Sequence, residues 1–180
     1  MPQVFPETGI ISLEKNCPIQ HIHSGTDTPR IKTSDLINDG GITFISRVRV
    51  YSAGGQAIVS GATTLVAFDT ETFDGDSEFN TTSHLFTALS SGYYQVNGSI
   101  LWGSPENGKQ YNLYVYKNSD KHSTDWKTAI MGTELSNNIS DIIYLAAGDT
   151  VSLYGYNGGV GACSISGDTR YSFLSIHRLS

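Results

Sequence analysis

The feature that most limits the fold is a series of short segments in which apolar and polar residues alternate. In residues 42–51, Val48 and Val50 fall on one side of an extended chain while Arg47 and Arg49 fall on the other. Similar segments follow roughly every 8–15 residues, separated by turns rich in Gly and Ser. No segment combines helical periodicity with caps at both ends. The pattern predicts an all-β, antiparallel sandwich.

Composition changes sharply near residue 41. Four of the five prolines and no Tyr or Trp precede this point, whereas all 10 Tyr and both Trp follow it. The earlier stretch has too few large apolar side chains to offset its own ordering entropy. We therefore predict an extended N-terminal arm over residues 1–41 and a folded domain over residues 42–180.

Charge and hydropathy exclude several classes of partner. The net charge is −6, and the 11 Lys and Arg residues are scattered along the chain. An acidic chain without a basic patch is a poor match for a phosphate backbone, so we expect no nucleic-acid partner. No apolar run reaches the length of about 18 residues that a membrane-spanning helix needs, so we expect no membrane insertion.

Several motifs of the second part resemble the C1q/TNF-like jelly-roll family. The match begins with "VAFD" at Val66 and continues with "LFT" at Leu85 and "GYY" at Gly92. Later come "LYVYKNS", "IYLAAGDTVSLYGY" and the closing "YSFLSIHRL", in the family's order and at near its spacing. The resemblance implies a C1q/TNF-like jelly roll over residues 42–180, in which Gly148 and Asp149 form a tight turn between two strands.

The same resemblance implies a homotrimer, because domains of this family pack around a three-fold axis. The surplus of Tyr fits such an interface, although about half of the tyrosines are expected on solvated strand faces. The sequence departs from animal C1q proteins because it has neither a Gly-X-Y collagen stalk nor a secretion signal. The arm over residues 1–41 is the candidate for a stalk of another kind.

The arm contains the motif His21-Ile22-His23 within "HIHSGTDTPRI". In an extended chain residues i and i+2 point the same way, so three arms around an axis would present two rings of imidazoles. This resembles the His-x-His metal sites of phage tail fibres and spikes, and it implies an axial transition metal such as Fe, Ni or Zn. The alternative is that His21 and His23 are hydrogen-bonded turn residues without a metal.

A second candidate site is an acidic group after the "VAF" motif. It comprises Asp69, Glu71, Asp74, Asp76 and Glu78. Carboxylates in one loop suit Ca²⁺, but the spacing is not that of an EF-hand, and a solvated acidic loop is the simpler interpretation. Paired carboxylates for glycoside hydrolysis would need a geometry that the sequence does not specify.

These features together predict a non-enzymatic, homotrimeric structural protein of a phage or similar virus, assembled in the host cytoplasm. Its task would be capsid decoration, or service as a fibre or spike head that adheres to a host-surface glycan, with residues 1–41 contacting other virion proteins. One alternative is a bacterial C1q-like protein that binds glycans or peptides. A polysaccharide hydrolase is the remaining one.

Two further expectations concern packing. We expect a core that includes the six residues Phe68, Phe86, Tyr94, Leu113, Val151 and Phe173. The two cysteines, Cys17 and Cys163, are expected as free thiols, with a bridge between arm and domain as the alternative.

Overall fold

A computed structural model describes residues 46–131 and 134–179. This part of the chain is all-β, as predicted, and contains no helix long and apolar enough to cross a bilayer. The strands in chain order are β1 Arg47–Tyr51, β2 Gln56–Ile58, β3 Thr63–Leu65, β4 Thr70–Asp74, β5 Phe79–Asn80, β6 Leu85–Thr87, β7 Gly92–Trp102, β8 Gln110–Lys117, β9 Asp120–Thr128, β10 Leu135–Leu145, β11 Thr150–Asn157, β12 Cys163–Ile165 and β13 Phe173–Arg178.

The strands form two sheets with antiparallel pairing between the named strands. The first sheet has seven strands in the order β2-β12-β7-β13-β1-β4, and β10 pairs with the free side of β7. The second sheet has six strands in the order β5-β6-β11-β8-β9, and β3 pairs with β11. Alternating side chains of both sheets point into the space between them, which is the arrangement of a sandwich.

The core lies between the sheets and confirms most of the predicted packing. Five of the six predicted core residues are fully buried, namely Phe68, Phe86, Tyr94, Leu113 and Val151. Trp102 of the first sheet reaches across to Gly155 of the second, where a Cβ atom would lie 3.2 Å from the indole. Glycine at position 155 therefore makes room for the largest side chain in the core.

The prediction for Phe173 is wrong. Phe173 is only half-buried, whereas its neighbours Leu174 and Ile176 are buried. The alternation of buried and outward residues along β13 is therefore shifted by one position from the predicted one. The ring of Phe173 lies on the outer side of the sheet, where the guanidinium of Arg49 sits 4.6 Å from its centroid.

Two local predictions, for the acidic stretch and for the turn at Gly148, have different outcomes. The acidic stretch expected as a loop contains strand β4, which pairs with β1 at the edge of the first sheet. Its side chains are mostly exposed, so an alternating apolar pattern is not needed there. The turn at Gly148 is confirmed: its φ of 90° is the left-handed conformation that glycine adopts without strain.

Other predictions fall on residues that the structure does not describe. The arm over residues 1–41, with His21, His23 and Cys17, lies outside the described part of the chain, as does the domain boundary at residue 42. Cys163 is a buried free cysteine at the start of β12.

Candidate functional site

The outer side of the first sheet carries an exposed apolar corner, which we name the first face and define by Tyr93, Ile142 and Tyr144. These side chains are between 50% and 56% exposed. Tyr93 pairs with Tyr144 across β7 and β10, and their rings meet edge to face with centroids 5.4 Å apart. Such a group of large apolar side chains on one side of a sheet is typical of an interaction surface.

A row of polar side chains continues this surface toward the middle of the sheet. Gln95 Nε2 donates to Ser140 Oγ over 3.0 Å, and Ser140 Oγ donates to Asn97 Oδ1 over 2.9 Å. These bonds link β7 to β10 across the strand pair. The row is thus fixed by internal hydrogen bonds, while the apolar corner beside it remains open to solvent.

The outer side of the second sheet has a different chemistry. We name it the second face and define it by Asn112, Tyr114, Tyr116, Trp126, Tyr154 and Tyr156. Trp126 is 63% exposed, whereas Tyr114 is nearly buried beneath its neighbours. The rings of Tyr116 and Tyr154 lie 4.3 Å apart. The sequence places Tyr114 and Tyr116 on one side of their strand, but it did not single out Asn112 or Trp126.

A buried carboxyl group lies at one end of the sandwich. Glu78 accepts hydrogen bonds from the Ser46 hydroxyl and from the Leu89 amide, the latter over 3.1 Å. Burial raises the pKa of Glu78, and the hydrogen bonds from Ser46 and Leu89 oppose that rise. Burial also raises the pKa of Tyr94, and the charge of Glu78 adds to that rise. No pattern in the sequence indicates that Glu78 is buried.

Glu78 lines a shallow depression of about 490 Å³ on the protein surface. The other lining residues are Ser77, Phe79, Asn80, Thr81, Thr82, Thr87 and Leu89. All of them are in the described part of the chain, and none is a second carboxyl group. Paired-carboxylate hydrolysis therefore has no second group in this depression.

The acidic residues predicted as one group have separate partners. Asp74 accepts from the amides of Glu78 and Phe79 at 3.1 and 2.8 Å. Asp69 accepts from the Ala53 amide over 2.9 Å, and this bond is the main reason that its pKa is lowered. Within residues 46–131 and 134–179, no three His, Cys, Asp or Glu side chains converge as a metal site.

Three residues of the kinds found in catalytic triads meet between β9 and β10. His122 Nε2 lies 3.6 Å from Asp141 Oδ2, and the Ser123 hydroxyl donates to the same oxygen. The order differs from that of a triad, because the serine donates to the carboxylate and not to the imidazole. This arrangement ties the two strands together and does not activate a nucleophile.

Comparisons of the structure identify several similar folds. Murine APRIL matches with a TM-score of 0.61 and 11% identity over 75% of this chain and 99% of that chain. The globular domain of zebrafish complement 1qA protein matches with a TM-score of 0.56 and 12% identity over 75% and 98%. Eiger TNF from S. frugiperda matches with a TM-score of 0.57 and 12% identity over 76% and 93%.

Sequence comparisons contribute less to the assignment of the fold than the structural comparisons do. No protein-family model and no curated protein matches the chain. The structural likeness is therefore carried by strand order and packing, at an identity near 12%, and it establishes the fold. The chain has the TNF/C1q-type antiparallel jelly-roll fold that its sequence predicts.

Proposed function

We propose that the chain is a homotrimeric, non-enzymatic structural protein of a virion. It would decorate a capsid or form the head of a fibre or spike that adheres to a host-surface glycan. The observation that carries the trimer is the first face, where Tyr93, Ile142 and Tyr144 are about half exposed on one side of a well-packed sheet. The TNF/C1q-type fold supports the same assembly, because the family it resembles packs around a three-fold axis.

The physical argument for self-association rests on apolar area. Fully burying an exposed Ile side chain contributes roughly 1.5–3 kcal/mol. Covering the exposed half of Ile142 therefore contributes about half as much, and the interface repeats at each subunit contact of a trimer. Tyr93 and Tyr144 are already fixed against one another by their edge-to-face contact. Less side-chain entropy is therefore lost when a second copy of the chain covers them.

The virion part of the proposal rests on the arm. Residues 1–41 contain one Phe and no Tyr or Trp, and they include "HIHSGTDTPRI", which resembles segments near the start of phage structural proteins. We propose that this arm contacts other virion proteins and that the protein is assembled in the host cytoplasm. Labelling intact particles with an antibody against residues 46–179 tests this. Particles that stay unlabelled while the free protein is recognised would contradict it.

The trimer has its own test. The full chain should elute from size exclusion as a trimer by light scattering at micromolar concentration. A monomer under those conditions would overturn the assembly, whatever the result on particles. The two measurements therefore separate the oligomer from its location.

We also propose that His21 and His23 of three chains ligate one axial transition metal, Fe, Ni or Zn. Imidazole binds metal only when neutral, and its ordinary pKa is about 6.5. The metal should therefore be lost as the pH falls below that range. Elemental analysis of the wild type and of a His21→Ala/His23→Ala variant decides the matter. A wild-type trimer without metal would leave the two histidines as turn residues.

A further inference from the structure

The second face has a regular geometry because the registers of its strands align two rows of side chains. One row runs Tyr156-Asn112-Trp126 across β11, β8 and β9, and the next runs Tyr154-Tyr114-Thr124. Neighbouring strands lie about 4.8 Å apart, so each row spans roughly 10 Å. The face is thus a platform with aromatic residues at both ends of its first row.

Contacts among the side chains hold this platform in one arrangement. Asn112 Nδ2 donates to the hydroxyl of Tyr114 over 2.6 Å, and Lys121 Nζ lies 3.9 Å from the centre of the Tyr114 ring. The rings of Tyr116 and Tyr154, tilted by 41° with centroids 4.3 Å apart, make a further contact between β8 and β11. A surface fixed in this way loses little conformational entropy when it binds a ligand.

One polar atom of the platform has no partner. Asn112 is 94% buried, and its Oδ1 atom makes no hydrogen bond. An unsatisfied buried carbonyl costs about 1–3 kcal/mol, so its retention at the centre of an outward-facing row calls for an explanation. A hydrogen-bond donor from a ligand would supply the missing bond. The cross-strand neighbour of Asn112 is Trp126, whose indole is exposed beside it.

We propose that the second face binds a neutral oligosaccharide. Sugar rings present C–H groups on their faces and hydroxyl groups around their edges. The C–H faces would pack on Trp126 and Tyr156, and the hydroxyls would bond with the tyrosine hydroxyls and Asn112 Oδ1. This deepens the proposed adhesion to a host-surface glycan by naming the site and the ligand class, and it rests on that proposal.

The make-up of the face favours a glycan over a protein partner. Along β8, β9 and β11, all within the described residues, the outward positions carry Tyr, Trp, Asn, Gln, Ser, Thr and Lys side chains, and the aliphatic Leu65 lies at the margin, on β3 beside Tyr154. A protein interface of this size normally includes an apolar centre, which the first face has and the second lacks. The net charge of −6 favours a neutral over an acidic glycan.

The experiment uses the full chain and an array of neutral hexose and N-acetylhexosamine oligosaccharides, with sialylated and uronic-acid oligosaccharides for comparison. Trp126→Ala should weaken binding of a neutral oligosaccharide about tenfold or more, which corresponds to about 1.4 kcal/mol. Tyr156→Phe, which keeps the ring and removes the hydroxyl, should weaken it less. Val160→Ala is the control, because Val160 is 77% exposed and lies on neither face. It should bind as the wild type does.

Each outcome has a distinct meaning when light scattering and a melting curve accompany the array. Weaker binding by Trp126→Ala and a smaller loss of affinity in Tyr156→Phe, with trimer and melting temperature unchanged, support the site. Neutral-glycan binding that is equal in all variants overturns the second face as the site but leaves adhesion standing. A folded wild-type trimer that binds no glycan, or only charged ones, overturns the proposed ligand. If it binds none at all, the adhesive function is overturned as well.

Discussion

The two outer faces of the sandwich are built from similar strands but differ in the kind of interaction that their side chains lack. On the first face, Ile142 and the Tyr93–Tyr144 pair present apolar area that no neighbour in the described chain covers fully. On the second face, the tyrosines are packed against one another, and the unsatisfied group is the polar Asn112 Oδ1. The first face lacks apolar contact, and the second lacks a hydrogen-bond donor.

This difference shows that the number of aromatic residues does not by itself identify a partner. Both faces are rich in Tyr, and composition alone assigns both to one interface. The unmet physical requirement of each face distinguishes them: an apolar surface is satisfied by another apolar surface, whereas a buried carbonyl is satisfied by a donor. The predictions below change one face at a time, or the core that both share.

The largest effect is expected on the first face. Ile142→Asp would place a carboxylate without a cationic partner in the proposed subunit contact. Burial of an unpaired charge costs about 3–5 kcal/mol, so the dissociation constant should rise more than about a hundredfold. Light scattering over a dilution series should show monomers at concentrations where the wild type is a trimer.

Thr124→Asp is the matched control on the second face, where Thr124 is also exposed. It introduces the same charge outside the proposed contact, so the trimer should persist. Equal dissociation of both variants would mean that the two faces do not differ in the way described. A stable trimer for both variants would mean that Ile142 does not lie in the subunit contact.

The next effect concerns the core between the faces. Trp102 is fully buried, and its Nε1 atom donates to Asn137 Oδ1 over 2.8 Å. Trp102→Ala should lower the free energy of unfolding by about 3–5 kcal/mol and also leave the buried Asn137 carbonyl without this donor. Chemical denaturation measures the loss. Because Trp102 packs against both sheets, trimer formation and glycan binding should weaken together, unlike in the single-face variants.

A smaller effect separates the inner and outer positions of the last strand. Leu174→Ala should lower the free energy of unfolding by about 2–5 kcal/mol, because the side chain is fully buried. Phe173→Ala should lower it by about 1 kcal/mol, since that ring is half-buried and its contact with Arg49 is a cation–π pair. Denaturant titration of the two variants compares them directly. A greater loss for Phe173→Ala would restore the phase that the sequence suggested.

The sequence was sufficient for the fold because strand alternation is a local property. Val48 and Val50 or Leu113 and Val115 identify their buried sides without any knowledge of their partners. The phase of β13 was misjudged because Phe173 is the largest apolar residue in a short strand, while the smaller Leu174 and Ile176 pack inside. The size of a side chain alone does not show which side of this interior strand faces the core.

The candidate sites were harder to predict because they depend on cross-strand register. Asn112 and Trp126 are 14 positions apart in the sequence and become neighbours only through the pairing of β8 with β9. The burial of Glu78 depends on Ser46 and Leu89, which come from separate segments. A pattern read along one strand does not contain this information. His21 and His23 remain predictions from the sequence alone.

The smallest expected effect is an acid sensitivity at the edge where the two sheets are linked. Lys117 of the second sheet lies 3.0 Å from Asp149 and donates to the carbonyl of Tyr144 in the first sheet over 2.9 Å. Hydrogen bonds from Asn118, from the Ala146 amide and from Lys117 lower the pKa of Asp149 from 3.8 to about 2. A carboxyl whose pKa is lowered on folding stabilises the protein above its unfolded pKa, and this contribution is lost as the pH falls through the folded value.

Melting temperatures measured from pH 5 to pH 2 should therefore fall less steeply between about pH 4 and pH 2 in Asp149→Asn than in the wild type, with both faces otherwise unaffected. Glu71→Gln, an exposed change on the edge strand β4, is the control and should keep the wild-type slope. An unchanged slope in Asp149→Asn would mean that the link between Lys117 and Tyr144 holds the two sheets together without help from the carboxylate.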